Sequence, residues 1–486
     1  MSGSRIYPEW TSRIGLQGLR NGSFVTVRTF LGVLGFVYFI AFASFGIQAM
    51  GLIGGHGILP VGDYLRAVRE ATGRTDWRDV PSVLWLDSSD AAVRAVWILG
   101  AVAAVLSIVV RWQRAALAVC LILWLSLCTA GQDFLSFQWD ILLVEAGFLA
   151  LFADASRVRV WLFRWLIFRL MFFSGAVKLL SQDPTWRNLT ALRYHYETQP
   201  LPTPVAWYLD QLPPGVQKAS TLLVFLVEMV VPFLFFAPRR LRHIGAWITI
   251  AFQLLILISG NYTFFNILTI ALTMWLFVPV SVGQSERPVT GVTDLPARRS
   301  RLAAHTHRAL SVLLAAFIGV VSGLLCLELF SVDLPPGGAE ILHAVAPLRL
   351  VNSYGLFAVM TTTRPEIVVE GSNDGASWLA YEFPYKPGDP FRAPPVVAPH
   401  QPRLDWQMWF AALGSYQQNR WFESFMARLL QGEPAVLRLL RYNPFPNAPP
   451  KYVRARLYLY HFTHFGERGW WTREEQGLYF PVASLK

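Results

Sequence analysis

The sequence predicts a polytopic α-helical membrane protein of about nine transmembrane helices, with a C-terminal β-rich extramembrane domain carrying a helical insert. Three observations predict it. Several apolar runs reach the roughly 18–20 residues needed to cross ~30 Å of hydrocarbon, in a chain that is 54% hydrophobic and only 15% charged. Lysine and arginine gather in alternate connections between those runs, the signature of membrane topology. Past Phe330 the long runs stop, and the chain turns polar and rich in Pro, Trp and Tyr.

The spans fall at about 30–53, 92–110, 115–130, 138–153, 162–180, 219–237, 243–259, 262–280 and 309–330. Residues 1–29 show no short apolar core followed by a small-residue cleavage site, so the first span is expected to remain as an anchor. The run from His243 to Val280 is too long for one helix, and "SGNY" (Ser259 to Tyr262) divides it by a tight re-entry. One set of connections holds Arg5, Arg13 and Arg20, then Arg111 and Arg114, then Arg157 and Arg159, then Arg239, Arg240 and Arg242. Arg298, Arg299, Arg301 and Arg308 complete it, whereas residues 131–137 and 259–262 hold no basic residue. Nine spans with an inside N-terminus place that whole basic set in the cytoplasm and the C-terminus outside. The expected domains are a cytoplasmic segment 1–29, a helical domain 30–280, a cytoplasmic linker 281–308, a last span 309–330 and an exoplasmic domain 340–486.

In that last domain "IVVEGSNDGASWLAYEF" alternates about Asp374–Gly375 and reads as a hairpin. "YVRARLYLYHFTHF" alternates again, and "GWWTREEQGLYFPV" supplies a partner strand. Between them "LDWQMWFAALGSYQQNRWFESFMARLLQG" has helical spacing, with Gly432 as a stop signal.

The net charge of +11 sits beside hydrophobic runs with no nucleic-acid recognition motif, so nucleic acid is not an expected partner. Cys120, Cys128 and Cys326 all lie inside apolar segments without metal or redox spacing. No cofactor or metal is expected. No H-E-x-x-H, G-x-S-x-G, P-loop or dinucleotide fingerprint occurs in a supporting context.

The unusual residues are ionisable groups inside spans. "FQWDILLVEAGFLALF" (Phe137 to Phe152) carries Asp140 and Glu145, and carboxylates in hydrocarbon cost several kcal/mol unless protonated, paired or hydrated. Asp140 is expected near the outer interface, with Glu145 about 7–8 Å deeper. Lys178 ends the fifth span, Glu228 lies mid-sixth, and Gln253, Asn261 and Asn266 belong to the outer half of the next pair. These groups share one depth band and are expected to face a common polar pocket. The bland accounts are that Lys178 snorkels to the interface, that Asp140 caps its helix or pairs with Lys178, and that Glu145 and Glu228 are buried paired or protonated acids. Arg164 and Arg169 read as topological or structural. The loop after Lys178 gathers Trp186, Arg187, Asn188, Arg193, Tyr194, His195, Tyr196 and Glu197. His195 beside Glu197 fits acid–base chemistry, or a hydrogen bond that holds the loop. Glu228, Asn261, Asn266, Arg187 and Glu197 are grouped here as a structural polar cluster.

Six stretches together resemble the lipase maturation factor family: "FQWDILLVEAGFLA", "RWLIFRLMFFSGAVKLLSQDPTWRNLTALRYHYETQPLPTPVAWY", "SGNYTFFNILTI", "VNSYGLFAVMTTTRPEIVVEGSNDG", "APHQPRLDWQMWFAALG" and "NPFPNAPPKYVRARLYLYHFT". The resemblance runs from about the first span to Phe465. It implies a membrane chaperone of the endoplasmic reticulum that matures secreted dimeric lipases, with a client-binding C-terminal region. The ending "PVASLK" lacks a retrieval signal, and the Arg- and Ala-rich usage points to a bacterial cytoplasmic membrane. "MFFSGAVKLLSQDPTW" is similar, more faintly, to a segment of vitamin K-dependent carboxylases, which would set Lys178 on that family's catalytic base.

The leading expectation is thus an integral-membrane maturation factor whose partners are membrane lipids and a secreted lipase or other exported client, held by Trp406, Trp409, Tyr416 and Trp421. The alternative is an intramembrane enzyme acting on a lipid, quinone or client side chain, with Lys178 as base and Asp140, Glu145 and His195 as its partners. Transport is disfavoured, because no matched pair of broken helices occurs in two halves.

Overall fold

A computed structural model of the chain describes residues 27–109, 112–279 and 297–485. Arg5, Arg13, Arg20, Arg111, Val280 and residues 281–296 of the expected linker lie outside the described residues. The membrane body comprises α1 (Val27–Gly46), α2 (Asp90–Val109), α3 (Gln113–Ala130), α4 (Gln138–Leu151) and α5 (Arg157–Leu180). It continues through α6 (Pro214–Phe225), α7 (Arg239–Ser259), α8 (Phe265–Thr273) and α9 (Ala297–Leu329). Every expected span therefore contains a helix, but among the described residues seven, not nine, are long and apolar enough to cross a membrane.

The two short ones are α4 and the Phe265–Leu276 segment that begins with α8. At 14 residues α4 covers only ~21 Å. Most of its side chains are buried against neighbouring helices, Asp140 and Glu145 included. A helix that meets protein instead of lipid need not match the hydrocarbon thickness, so a length rule miscounts it.

Elsewhere local chemistry sets the helices. α1 and α2 touch closely through small residues, and a Cβ on Gly35 would lie 2.0 Å from Ser107 Oγ. α6 loses its regular pattern at Leu226–Val230, a π-helical turn, and then tightens to a 3₁₀ turn over Val231–Phe236. Pro232 explains the break, because it lacks an N–H and its ring crowds the preceding turn. At one end of the body, guanidinium groups cap helix C-terminal carbonyls. Arg114 donates to Ala153 O at 2.6 Å, Arg242 to Leu276 O at 2.8 Å and Arg164 to Val278 O at 3.2 Å.

The opposite end carries the C-terminal domain. Its antiparallel sheet has the order β2-β1-β3-β4, with β1 Arg364–Ser372, β2 Leu379–Ala380, β3 Tyr452–Phe462 and β4 Trp471–Ala483. Asp374 builds the β1–β2 turn by accepting from Ala376 N and Ser377 N at 2.8 and 2.7 Å, with Gly375 at φ +74°. The insert forms α10 (Arg403–Ala412) and α11 (Arg420–Gln431), and Gly432 ends α11 at φ +66°. α10 is buried almost all round, because it lies between sheet and membrane body.

This domain does not hang from α9; it is seated on the helix ends. Gln138 exchanges two hydrogen bonds with Gly355 at 3.1 and 3.0 Å. Asn261 accepts from Val397 N at 2.7 Å and donates to Pro395 O at 2.8 Å. Arg364 donates to Glu197 O and Gln199 O, each at 2.5 Å. The connections 131–137, 181–213 and 260–264 thus all lie on the domain's side of the body.

Candidate functional site

The acids of α4 are held by the C-terminal domain. Arg403 forks onto Asp140, Nη1 to Oδ2 and Nη2 to Oδ1, both at 2.9 Å, and donates to Phe134 O at 2.6 Å. The rings of Phe45 and Trp124 stand 5.8 Å from its guanidinium carbon. Around it, Arg403 N donates to Gln48 Oε1 and Gln401 N to Ser44 Oγ, each at 2.8 Å. Glu145 pairs with Arg169 and accepts from Tyr354 Oη at 2.7 Å, Asn352 N at 2.9 Å and Asn352 Nδ2 at 3.1 Å. Both carboxylates are satisfied by charge and hydrogen bonds together, which is what a buried charge requires.

Lys178 is placed differently. Its ammonium donates to Glu228 Oε2 at 2.7 Å and Ser174 O at 3.0 Å, with the Trp186 ring at 5.3 Å. The π turn in the α6 segment carries Glu228 to that position. Lys178 is buried rather than snorkelling, and Asp140 pairs with Arg403 instead of with it. The expected common pocket is therefore resolved into separate ion pairs: Asp140–Arg403, Glu145–Arg169 and Lys178–Glu228. Asn261 bonds the C-terminal domain, Asn266 donates to Gln253 Oε1 at 2.7 Å, and Glu197 accepts from Phe462 N at 2.7 Å. Arg187 is exposed. Among the described residues no group of three His, Cys, Asp or Glu is placed to hold a metal ion.

His195 lines the same cavity as Lys178 and Glu228. Burial, aided by the Lys178 charge, pushes its pKa down to about 4, so its ring is neutral near pH 7. Its Nε2 lies 3.3 Å from Tyr262 Oη, and that hydroxyl in turn donates to Gln199 Oε1 at 3.0 Å.

A concave surface runs between the two domains. A groove of about 780 Å³ is walled by Phe137, Trp139, Tyr262, Trp406, Trp409 and Phe410, among others. Phe137 stacks on Trp139 at 4.8 Å, and Trp406 meets Trp139 edge-on at 4.9 Å. Trp409 Nε1 donates to Thr198 O at 2.9 Å, fixing the wall to the loop after Lys178. Val359 and Leu413 also line the groove, 66% and 44% exposed. Of the four aromatics singled out in the sequence, Trp406 and Trp409 line it. Trp421 is buried against Phe134 and Phe422, and Tyr416 is half-buried against Phe480.

Sequence reasoning missed Arg403, Asn352 and Tyr354 as partners of the membrane acids. The available signal was indirect: two carboxylates in one apolar segment demand donors, but nothing in the chain says from where.

Comparison with known proteins gives two separate matches. The family model described as the lipase maturation factor transmembrane domain matches residues 25–282, and the one described as the lipase maturation factor C-terminal domain matches 350–481. The chain is 38% identical to lipase maturation factor 2 of Gallus gallus, covering 94% of this chain and 81% of the relative. It is 37% identical to the Homo sapiens protein of the same name over 96% of this chain and 83% of the relative. Lipase maturation factor 1 of Mus musculus is 34% identical over 96% of this chain and 89% of the relative. No solved structure matches the chain.

Proposed function

The chain belongs to the lipase maturation factor family, and from that premise we propose that it is an integral-membrane maturation factor which holds an exported lipase in the groove between its two domains. The observation that carries the groove assignment is its wall. Aromatic side chains from the membrane body and from α10 converge there, with exposed Val359 and Leu413 at its edge. Large rigid aromatics give contact area at low entropy cost, which suits an incompletely folded client that exposes apolar segments. Trp406 and Trp409 act as fixed wall elements; Tyr416 and Trp421 support the domain behind them.

The domain-bearing face is the exoplasmic one, where an exported client is found. The basic connections at the opposite end support that orientation. The relatives named above are animal proteins, so they lend no support to a bacterial membrane. Nothing favours the enzyme alternative: Asp140 and Glu145 are committed to arginines away from Lys178, and Lys178 is itself paired.

The test places charge at the groove's edge. Val359→Glu with Leu413→Glu is expected to lower secreted lipase activity several-fold in cells that depend on this chain. Membrane level and melting temperature should stay near wild type, since exposed substitutions usually shift stability by only about 0.5 kcal/mol. Unchanged secreted activity rules the groove out as the client site.

A further inference from the structure

A second cavity, of about 120 Å³, lies inside the membrane body behind the groove. The two share Tyr262, Leu356, Phe357 and Met360 as a common wall. Phe357 has φ +54°, a conformation unfavourable for a bulky residue. Trp186 Nε1 holds it by donating to Phe357 O at 2.9 Å. The opposite side of the cavity is formed by Val224, Phe252, Leu255 and Ile256 of two membrane-spanning helices. Leu255 is 49% exposed on the surface of α7, so acyl chains of the bilayer are what lies next to the cavity.

The lining defines what fits. Lys178 and Glu228 are its only charged groups among the described residues, and they neutralise each other at 2.7 Å. No counter-charge is left for a phosphate or an ammonium. The neutral groups are less complete. Gln199 Nε2 donates to Ser259 O and Tyr196 O at 2.9 and 3.3 Å, which fixes Oε1 as the acceptor of the Tyr262 proton. Tyr262 Oη therefore accepts from His195 Nε2–H, leaving the lone pair on His195 Nδ1 covered and without a donor. His195 itself lines the cavity, so this unpartnered acceptor belongs to one of its lining residues. On the same lining, Gln253 Nε2 reaches, among the described residues, only the Met171 sulfur, at 3.8 Å, a weak acceptor.

We infer that this cavity binds an uncharged lipid bearing a free hydroxyl and a carbonyl, of the diacylglycerol type, whose hydroxyl donates to His195 and whose carbonyl accepts from Gln253. A benzene-sized void of about 150 Å³ is known to hold an apolar ring, so this slightly smaller one takes the polar end of the molecule and its first methylenes. The chains then leave past Leu255 into the bilayer.

The test uses the full chain in phosphatidylcholine nanodiscs carrying a photoactivatable diacylglycerol, with no client present, so its outcome is independent of the groove reading. Labelling of cavity-lining residues is expected, with displacement by dioleoylglycerol. Trioleoylglycerol, which lacks the hydroxyl, should displace about tenfold less well, as the loss of one hydrogen bond implies. His195→Phe should abolish that preference. Leu255→Trp, on the lipid-facing rim and outside the polar network, should block labelling without shifting the melting temperature. Equal competition by the triester, equal competition by dioleoylphosphatidic acid, or undiminished labelling of Leu255→Trp overturns the inference.

Discussion

The acids of α4 and the Lys178–Glu228 pair are both buried charge in a membrane body, yet they are finished in different ways. Asp140 and Glu145 take donors from the C-terminal domain: Arg403 for the first, Asn352 and Tyr354 for the second. Lys178 and Glu228 come from two helices of the body and border a cavity. The first two sites are rivets between domains with every oxygen engaged. The third closes on itself and leaves neutral neighbours underemployed. Buried charge in this chain thus serves joining in one place and shaping a cavity in another.

Breaking a rivet should have the largest effect. Arg403→Leu strands Asp140 without its countercharge and is expected to cost about 3–5 kcal/mol. It should be read as a lower melting temperature of the purified protein and a lower membrane yield. Adding Asp140→Leu to that variant should restore most of the loss, because an apolar pair in place of a buried ion pair is often neutral. A double variant no better than the single one would mean that Arg403 acts through its other contacts. Tyr354→Phe removes one of the donors to Glu145, a charged acceptor, and should cost about 1.5–3 kcal/mol in the same melting assay.

The smallest expected effect sharpens the comparison through pH. His400 lies on the seam, with Nδ1 2.9 Å from Ser44 Oγ, and burial together with the Arg403 charge pushes its pKa down to about 4. The unfolded chain takes up that proton first, near its ordinary ~6.5. Stability from this group is therefore present above pH ~6.5 and lost as pH falls toward 4, by something of the order of 2 kcal/mol. Asp405, which burial raises to about 6, works in the opposite sense over much of that range. His400→Asn should consequently lose less stability on mild acidification than the wild type does. Melting curves between pH 4 and 7 check it.

Much of the architecture was legible because membrane physics is written locally. Apolar runs, basic connections and the re-entry at Ser259 to Tyr262 all act over a few residues. The alternation in Arg364–Ser372 and Tyr452–Phe462 announced paired strands for the same reason. α4 was also legible as an anomaly, since its two carboxylates needed partners. What could not be read was the identity of those partners. Arg403 lies 263 residues beyond Asp140, and Tyr354 lies 209 beyond Glu145. Neither position carries periodicity that points back to the membrane. Seven helices of spanning length among the described residues, against nine expected, have a related cause, because burial of α4 among its neighbours is a tertiary fact. Glu228 and Lys178 lay in one expected depth band, but the π turn that carries Glu228 into their ion pair was not read from the sequence.

The distance from Asp140 to Arg403 also bears on biogenesis. At the usual 5–20 residues per second, a ribosome needs roughly 13–50 s to make the 263 residues that separate the acid from its arginine. During that interval α4 is a short segment bearing an unmatched acid, unable to rest in hydrocarbon at low cost. The membrane half must therefore wait, hydrated or shielded by the insertion machinery, for a portion of itself still being translated. A factor that helps other chains mature has a late-completing assembly step of its own.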